Sequence, residues 1–96
     1  MGEYIFLMHD DAAADAESWG PYLRKLQESG AFEGGSAIGD GICACKSGAA
    51  PGITAHLTGY IRVSADNIDQ AQSLLTGNPH FEAGGTVEIR ELPRGS

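Results

Sequence analysis

The segment Glu3-Tyr4-Ile5-Phe6-Leu7-Met8-His9 constrains this chain more than any other, because it is apolar or aromatic without a helical period. Such a run is a strand buried from both sides. Successive side chains of a strand point to opposite faces, so Tyr4, Phe6 and Met8 share one face and Ile5, Leu7 and His9 the other. Covering both faces is demanding for 96 residues. A chain of this length makes one domain, 1–96, and removes only about 60–65% of its unfolded surface from water, so self-association is an effective way to bury more.

Downstream, the acidic, alanine-rich stretch Asp10 to Asp15 reads as a loop running into a helix. Trp19, Tyr22, Leu23 and Leu26 then fall on one helical stripe, and Gly30 follows as a left-handed cap. Pro21 is comfortable only in a first turn, so the helix begins near Ser18 or begins at Asp15 and bends at the proline. Ala31 to Ile38 resembles a second strand in which Gly34 and Gly35 suggest a bulge or a close backbone approach. Gly39-Asp40-Gly41 is a turn signal, after which Ile42 to Lys46 is expected to return as a short hairpin strand before a loose loop from Ser47 to Thr54. Leu57 to Val63 alternates, with Leu57, Gly59, Ile61 and Val63 on its core face and Thr58, Tyr60 and Arg62 opposite. Asp66, or in competition Ser64, caps a second helix with Ile68, Ala71, Leu74 and Leu75 on its inner side, ended by Gly77 and Pro79. Val87 and Ile89 mark a half-buried final strand within Thr86 to Leu92.

This order predicts an α+β fold, the ferredoxin-like βαββαβ arrangement on an antiparallel sheet, with the first and third main strands central. Two helices cover only one face of such a sheet, so Tyr4, Phe6, Met8 and Tyr60 are expected to need cover on the open face. A second copy packed face to face about a two-fold axis supplies it and makes a dimeric α+β barrel with ligand clefts between sheet, loops and partner. Six basic against thirteen acidic residues give a formal charge of −7, which repels nucleic acid and anionic lipid. The first apolar run is too short to span a membrane and lacks the flanks of a signal peptide, and Cys43 and Cys45 do not staple the fold, so a cytoplasmic, reducing environment is expected.

Two stretches are more specific. Trp19-Gly20-Pro21-Tyr22-Leu23, Leu26 and Ser29-Gly30-Ala31-Phe32-Glu33-Gly34-Gly35-Ser36 resemble the helix-to-glycine turn of the YCII-related (DGPF-type) family. Gly77-Asn78-Pro79-His80-Phe81-Glu82-Ala83-Gly84-Gly85-Thr86-Val87-Glu88-Ile89-Arg90 resembles its closing motif. With the opening YIFLMHDD and Gly59-Tyr60-Ile61, the similarity runs over most of the chain. The resemblance implies a ferredoxin-like fold, homodimerisation and a cleft in which some relatives use a His-Asp pair, including an enzyme that removes chloride from a hydroxylated aromatic. Against that pattern, Trp19 stands in the place of the helix histidine and Asn78 replaces the motif's aspartate. Neither can carry the charge or the proton the pair requires.

The remaining candidates are weighed on their own chemistry. His9-Asp10 is the best polar pair, although neighbours on a strand point oppositely and a direct dyad requires the chain to turn there. His9 is the expected base of a cofactor-free proton transfer or elimination on a small substrate, aromatic rings included. His80 follows Asn78-Pro79 in an expected loop and can face the cleft or solvent. His56 opens the third strand as a surface residue. Trp19 and Tyr22 either line a pocket or pack in the core, and Ser36 and Asn78 complete the expected cleft border. Arg62 reaches the open face, to hold a carboxylate or to pair with Glu88. No metal is expected, because no ligand pair of recognisable spacing is present, and Cys43 and Cys45 read as strand thiols. Glycines 34, 35, 39 and 41 are turn or bulge formers before they are an anion cradle. The sequence therefore predicts a small-molecule-binding homodimer; its rival is a non-catalytic interaction or regulatory module on the same scaffold.

Overall fold

The computed structural model describes residues 2–93. Four strands, β1 (Gly2–His9), β2 (Phe32–Ala37), β3 (Leu57–Ala65) and β4 (Val87–Leu92), form one antiparallel sheet in the order β2-β3-β1-β4. Helix α1 (Trp19–Glu28) connects β1 to β2, and α2 (Ile68–Ser73) with the short α3 (Pro79–Glu82) connects β3 to β4. β1 and β3 are central, as the apolar pattern of both strands requires.

The pairing register decides which face becomes the core. Phe6 stands between Ile61 and Ile89, Tyr4 opposite Val63, and Met8 between Gly59 and Val87. Paired residues point the same way, so the bulky side chains of the three strands collect on one face, where Tyr22 and Leu26 of α1 with Ala71 and Leu75 close over them. This overturns the expectation that Tyr4, Phe6 and Met8 lie on the open side: all three are buried under the helices. The open face instead carries Ile5, Leu7, Tyr60 and Leu92, each half-buried, within a frame of ion pairs. Arg62 belongs to that frame, but it holds Glu3 at 2.8 Å and the Glu33 carbonyl at 2.8 Å rather than Glu88.

Local chemistry sets the element ends. A 3-10 turn (Ala16–Ser18), capped by the Asp15 carboxylate on the Glu17 N–H, leads into α1, so Pro21 sits in the first turn and no bend is needed. The helix ends at Gly30, whose φ of 79° is the left-handed stop the sequence predicts. The α2 cap is Asn67, whose side chain accepts from the Gln70 N–H at 2.8 Å, while Gln70 reaches back to the Asp66 N–H. This pair displaces both Asp66 and Ser64 from the capping role, because the reciprocal arrangement satisfies two end donors together. Ile68 accordingly faces solvent, leaving Ala71 and Leu75 to bury. The hairpin strand expected over Ile42 to Lys46 does not form: residues 38–56 are an irregular connection beyond the edge strand β2. Ile42 is 89% exposed, so an alternating pattern with no apolar face to dock on gains nothing from pairing.

Candidate functional site

A cavity of about 450 Å³ lies between α1, the β2–β3 edge of the sheet and the segment that leaves β1. Its floor is the helix-side surface of the sheet, where Gly35 and Gly59 present bare backbone. The floor is tight as well as bare. A Cβ on Gly35 would lie 2.7 Å from the Tyr60 carbonyl, so glycine there is demanded by the neighbouring strand. Trp19, Leu23, Phe32, Ile61 and Met8 supply apolar walls, and the small Ala12 and Ala14 keep the entrance loop from filling the space.

One histidine joins this lining. His80, 4% exposed, sits on α3, whose N-terminus is capped by Asn78 accepting from the Phe81 N–H at 2.9 Å. Its Nε2 lies 3.2 Å from Asp11 Oδ1, which also accepts the Thr86 N–H at 2.9 Å. Hydrogen bonds from Thr86, hydroxyl first and backbone N–H second, hold the Asp11 carboxyl below the usual carboxylate range, and His80 adds to the effect. An ionised Asp11 favours a proton on Nε2. Nδ1 has no hydrogen-bond partner among the described residues, and it is not among the sealed polar atoms. A His-Asp pair therefore does exist at this cavity, built from residues that the sequence does not join.

The other predicted site residues divide. Trp19, Ser36 and His80 line the cavity, although Ser36 is paired with Tyr60 on the opposite face and its hydroxyl donates to the Ala37 carbonyl at 2.9 Å. Tyr22 and Asn78 lie behind the lining in the core. The Tyr22 hydroxyl donates to the Leu74 carbonyl at 2.9 Å, and burial pushes its phenol above the usual range against the opposing influence of the Asn78 amide. Asn78 Nδ2 is buried without a partner. His9 and Asp10 are brought neither to the cavity nor to each other: His9 Nε2 pairs with Glu88 Oε1 at 3.0 Å on the open face and stacks edge-on with His56, while Asp10 is exposed. His80 lies in a helix, not the expected loop, because Asn78 and Pro79 start a turn of α3 as readily as they end α2.

Asp11, Gly59 and the apolar walls other than Trp19 escape a reading of the sequence, whereas the close backbone approach expected at Gly34 and Gly35 is met at Gly35. The Asp10-Asp11 doublet marks two carboxylates at the strand end, but which of them meets His80 depends on a turn the residues do not specify. Cys43 and Cys45 lie in the irregular connection as free thiols, the former 3.6 Å from the Gly52 carbonyl. Among the described residues no group of three or more His, Cys, Asp or Glu is placed to hold a metal ion. No helix among them is long and apolar enough to cross a membrane.

Sheet order, helix placement and cavity together define a small ferredoxin-like α+β fold. A solved structure shares it: 5-chloro-2-hydroxyhydroquinone dehydrochlorinase (TftG) from Burkholderia phenoliruptrix AC1100, in complex with 2,5-dihydroxybenzoquinone, is similar with a TM-score of 0.52 and 15% sequence identity, over 95% of each chain. No protein-family model matches the chain, and no curated protein matches it in sequence.

Proposed function

We propose that this chain is a small-molecule-binding protein of the YCII-related type whose cavity takes a flat, largely apolar ligand, with His80 as the group that exchanges a proton with it. The observation that carries this reading is the buried His80, paired with an ionised Asp11, in the lining of a largely apolar cavity. Gly35 and Gly59 leave a flat floor that suits a ring, and the shared fold with an enzyme bound to a dihydroxybenzoquinone is compatible with that shape. In the enzymatic version His80 Nδ1 removes a proton from an O–H or C–H of the ligand and returns it, or the ligand's electrons expel a leaving group, with no cofactor.

Small hydroxylated and halogenated aromatics, screened by thermal shift and then followed for deuterium incorporation or halide release, test the reading. Replacing His80 by Gln is expected to lower turnover about 10²–10⁴-fold with little change in melting temperature. Unchanged turnover removes His80 from the mechanism. The same substitution at His9 separates the two histidines, since whichever loss stops turnover identifies the base. Binding without turnover across the panel favours the non-catalytic module.

We also place the chain in a homodimer through the open face. Ile5, Leu7, Tyr60 and Leu92 form its apolar centre, and Glu3–Arg62 and Glu88–Arg90 are mixed-sign pairs suited to a two-fold contact. Sedimentation at micromolar concentration is expected to show two chains per particle, and Leu7→Glu to return one.

A further inference from the structure

Gly85 is a glycine that its backbone does not require. The glycines of the described residues with φ in the left-handed region are 30, 34, 48, 77 and 84, and Gly85 is not among them. An L-residue would therefore be accepted by the main chain, and the demand for glycine has to come from a neighbour. That neighbour is the imidazole of His80. A Cβ built on Gly85 would fall 2.2 Å from Nε2, 2.5 Å from Cδ2 and 2.6 Å from Cε1 of the ring. These are far inside van der Waals contact, and the nitrogen nearest the Cβ is the one that faces Asp11.

The surrounding bonds show why the ring cannot simply yield in place. The Gly85 N–H donates to the His80 carbonyl at 2.9 Å, so the two residues are tied at the backbone. Thr86 is tied to Asp11 by its own N–H at 2.9 Å, so the residue after Gly85 helps to hold the carboxylate that meets the same Nε2. Asn78 anchors the start of the helix that carries His80. A side chain at Gly85 could be accommodated only by moving the imidazole off its contact with Asp11.

We infer that Gly85 is a positioning residue: its lack of a side chain is what keeps His80 Nε2 within reach of Asp11 and so sets which nitrogen of His80 faces the cavity. The inference rests on the proposal that His80 is the working group, but the geometry it predicts can be read without any ligand.

In the intact chain labelled with nitrogen-15, the His80 ring signals are expected to report the Nε2–H tautomer with an Nε2–H proton protected by Asp11. Gly85→Ala is expected to abolish that protected signal, as Asp11→Ala does. Gly84→Ala is the control for backbone strain: it forces a side chain onto a φ of 93° yet meets nothing within 4 Å, so it is expected to lower stability and keep the His80 signature. A folded Gly85→Ala chain that retains the wild-type tautomer and protected proton overturns the inference. Should Gly85→Ala not fold, the double variant with His80→Ala decides, because removing the ring gives the new methyl room. Recovery of folding supports the inference, and a double variant as unfolded as the single overturns it. If Gly85→Ala erases the signature while His80→Gln leaves ligand turnover unchanged, the positioning stands and the functional reading fails.

Discussion

The two faces of the sheet each hold a histidine against a carboxylate, at nearly the same separation: 3.2 Å for His80 and Asp11, 3.0 Å for His9 and Glu88. Their surroundings differ. The His80 side chain is 5% exposed and borders an apolar cavity, whereas that of His9 is 25% exposed on an open face and shares its carboxylate with Arg90. Distance alone does not make a site. The difference lies in the histidines: His80 is held out of water at a cavity while His9 competes with solvent, although Asp11, at 44% exposed, is itself more open to water than Glu88 at 34%.

The contrast between faces is broken most directly at its most buried point. Phe6→Ala removes a fully buried ring between Ile61 and Ile89 and is expected to cost about 3–5 kcal/mol in denaturant unfolding. Leu7→Ala, one residue away on the other face, is expected to cost about 1 kcal/mol in a dissociated chain. Equal losses at the two positions at low protein concentration would mean that the faces are not distinct. Removal of the α3 cap by Asn78→Ala is expected to cost about 0.5–2 kcal/mol. It should also loosen His80, visible as faster exchange of its ring N–H.

Smaller effects come from charge. Folding lowers the pKa of both Asp11, through Thr86 chiefly, and Glu88, through His9 chiefly. A carboxyl whose folded pKa is depressed contributes stability that is fully present above its unfolded value and is lost as pH falls through the folded one. Thermal stability is therefore expected to hold above about pH 5 and to decline through roughly pH 4 and below. Asp11→Asn and Glu88→Gln should each flatten part of that decline, and an unchanged acid profile would remove the corresponding pair from the account. Above about pH 5, where that contribution is fully present, Glu88→Gln is expected to lower the melting temperature only slightly, since its pair is exposed.

How far the residues alone reach is clearest at particular elements. The alternation of β3, the existence of β1 and the Gly30 stop are local signals seen where the sequence places them, whereas burial of β1 from both sides is not: its second face stays half-buried. The strand over Ile42 to Lys46 had the same kind of local signal and failed, because a strand needs an edge to pair with and an apolar face to bury. At the site, Trp19 and His80 were legible as side chains of the right chemistry, and Asp11 was hidden behind its neighbour Asp10.

The sequence by itself determined the order of the four main strands and the two main helices and the division of each strand into two sets of side chains, since period and chain punctuation are properties of consecutive residues. Only the tertiary structure decided which set the helices would cover, that Asp11 rather than Asp10 would meet a histidine, and that Gly85 would be pressed against a ring. Those outcomes depend on register and on the direction of turns, which are fixed by contacts between residues far apart along the chain.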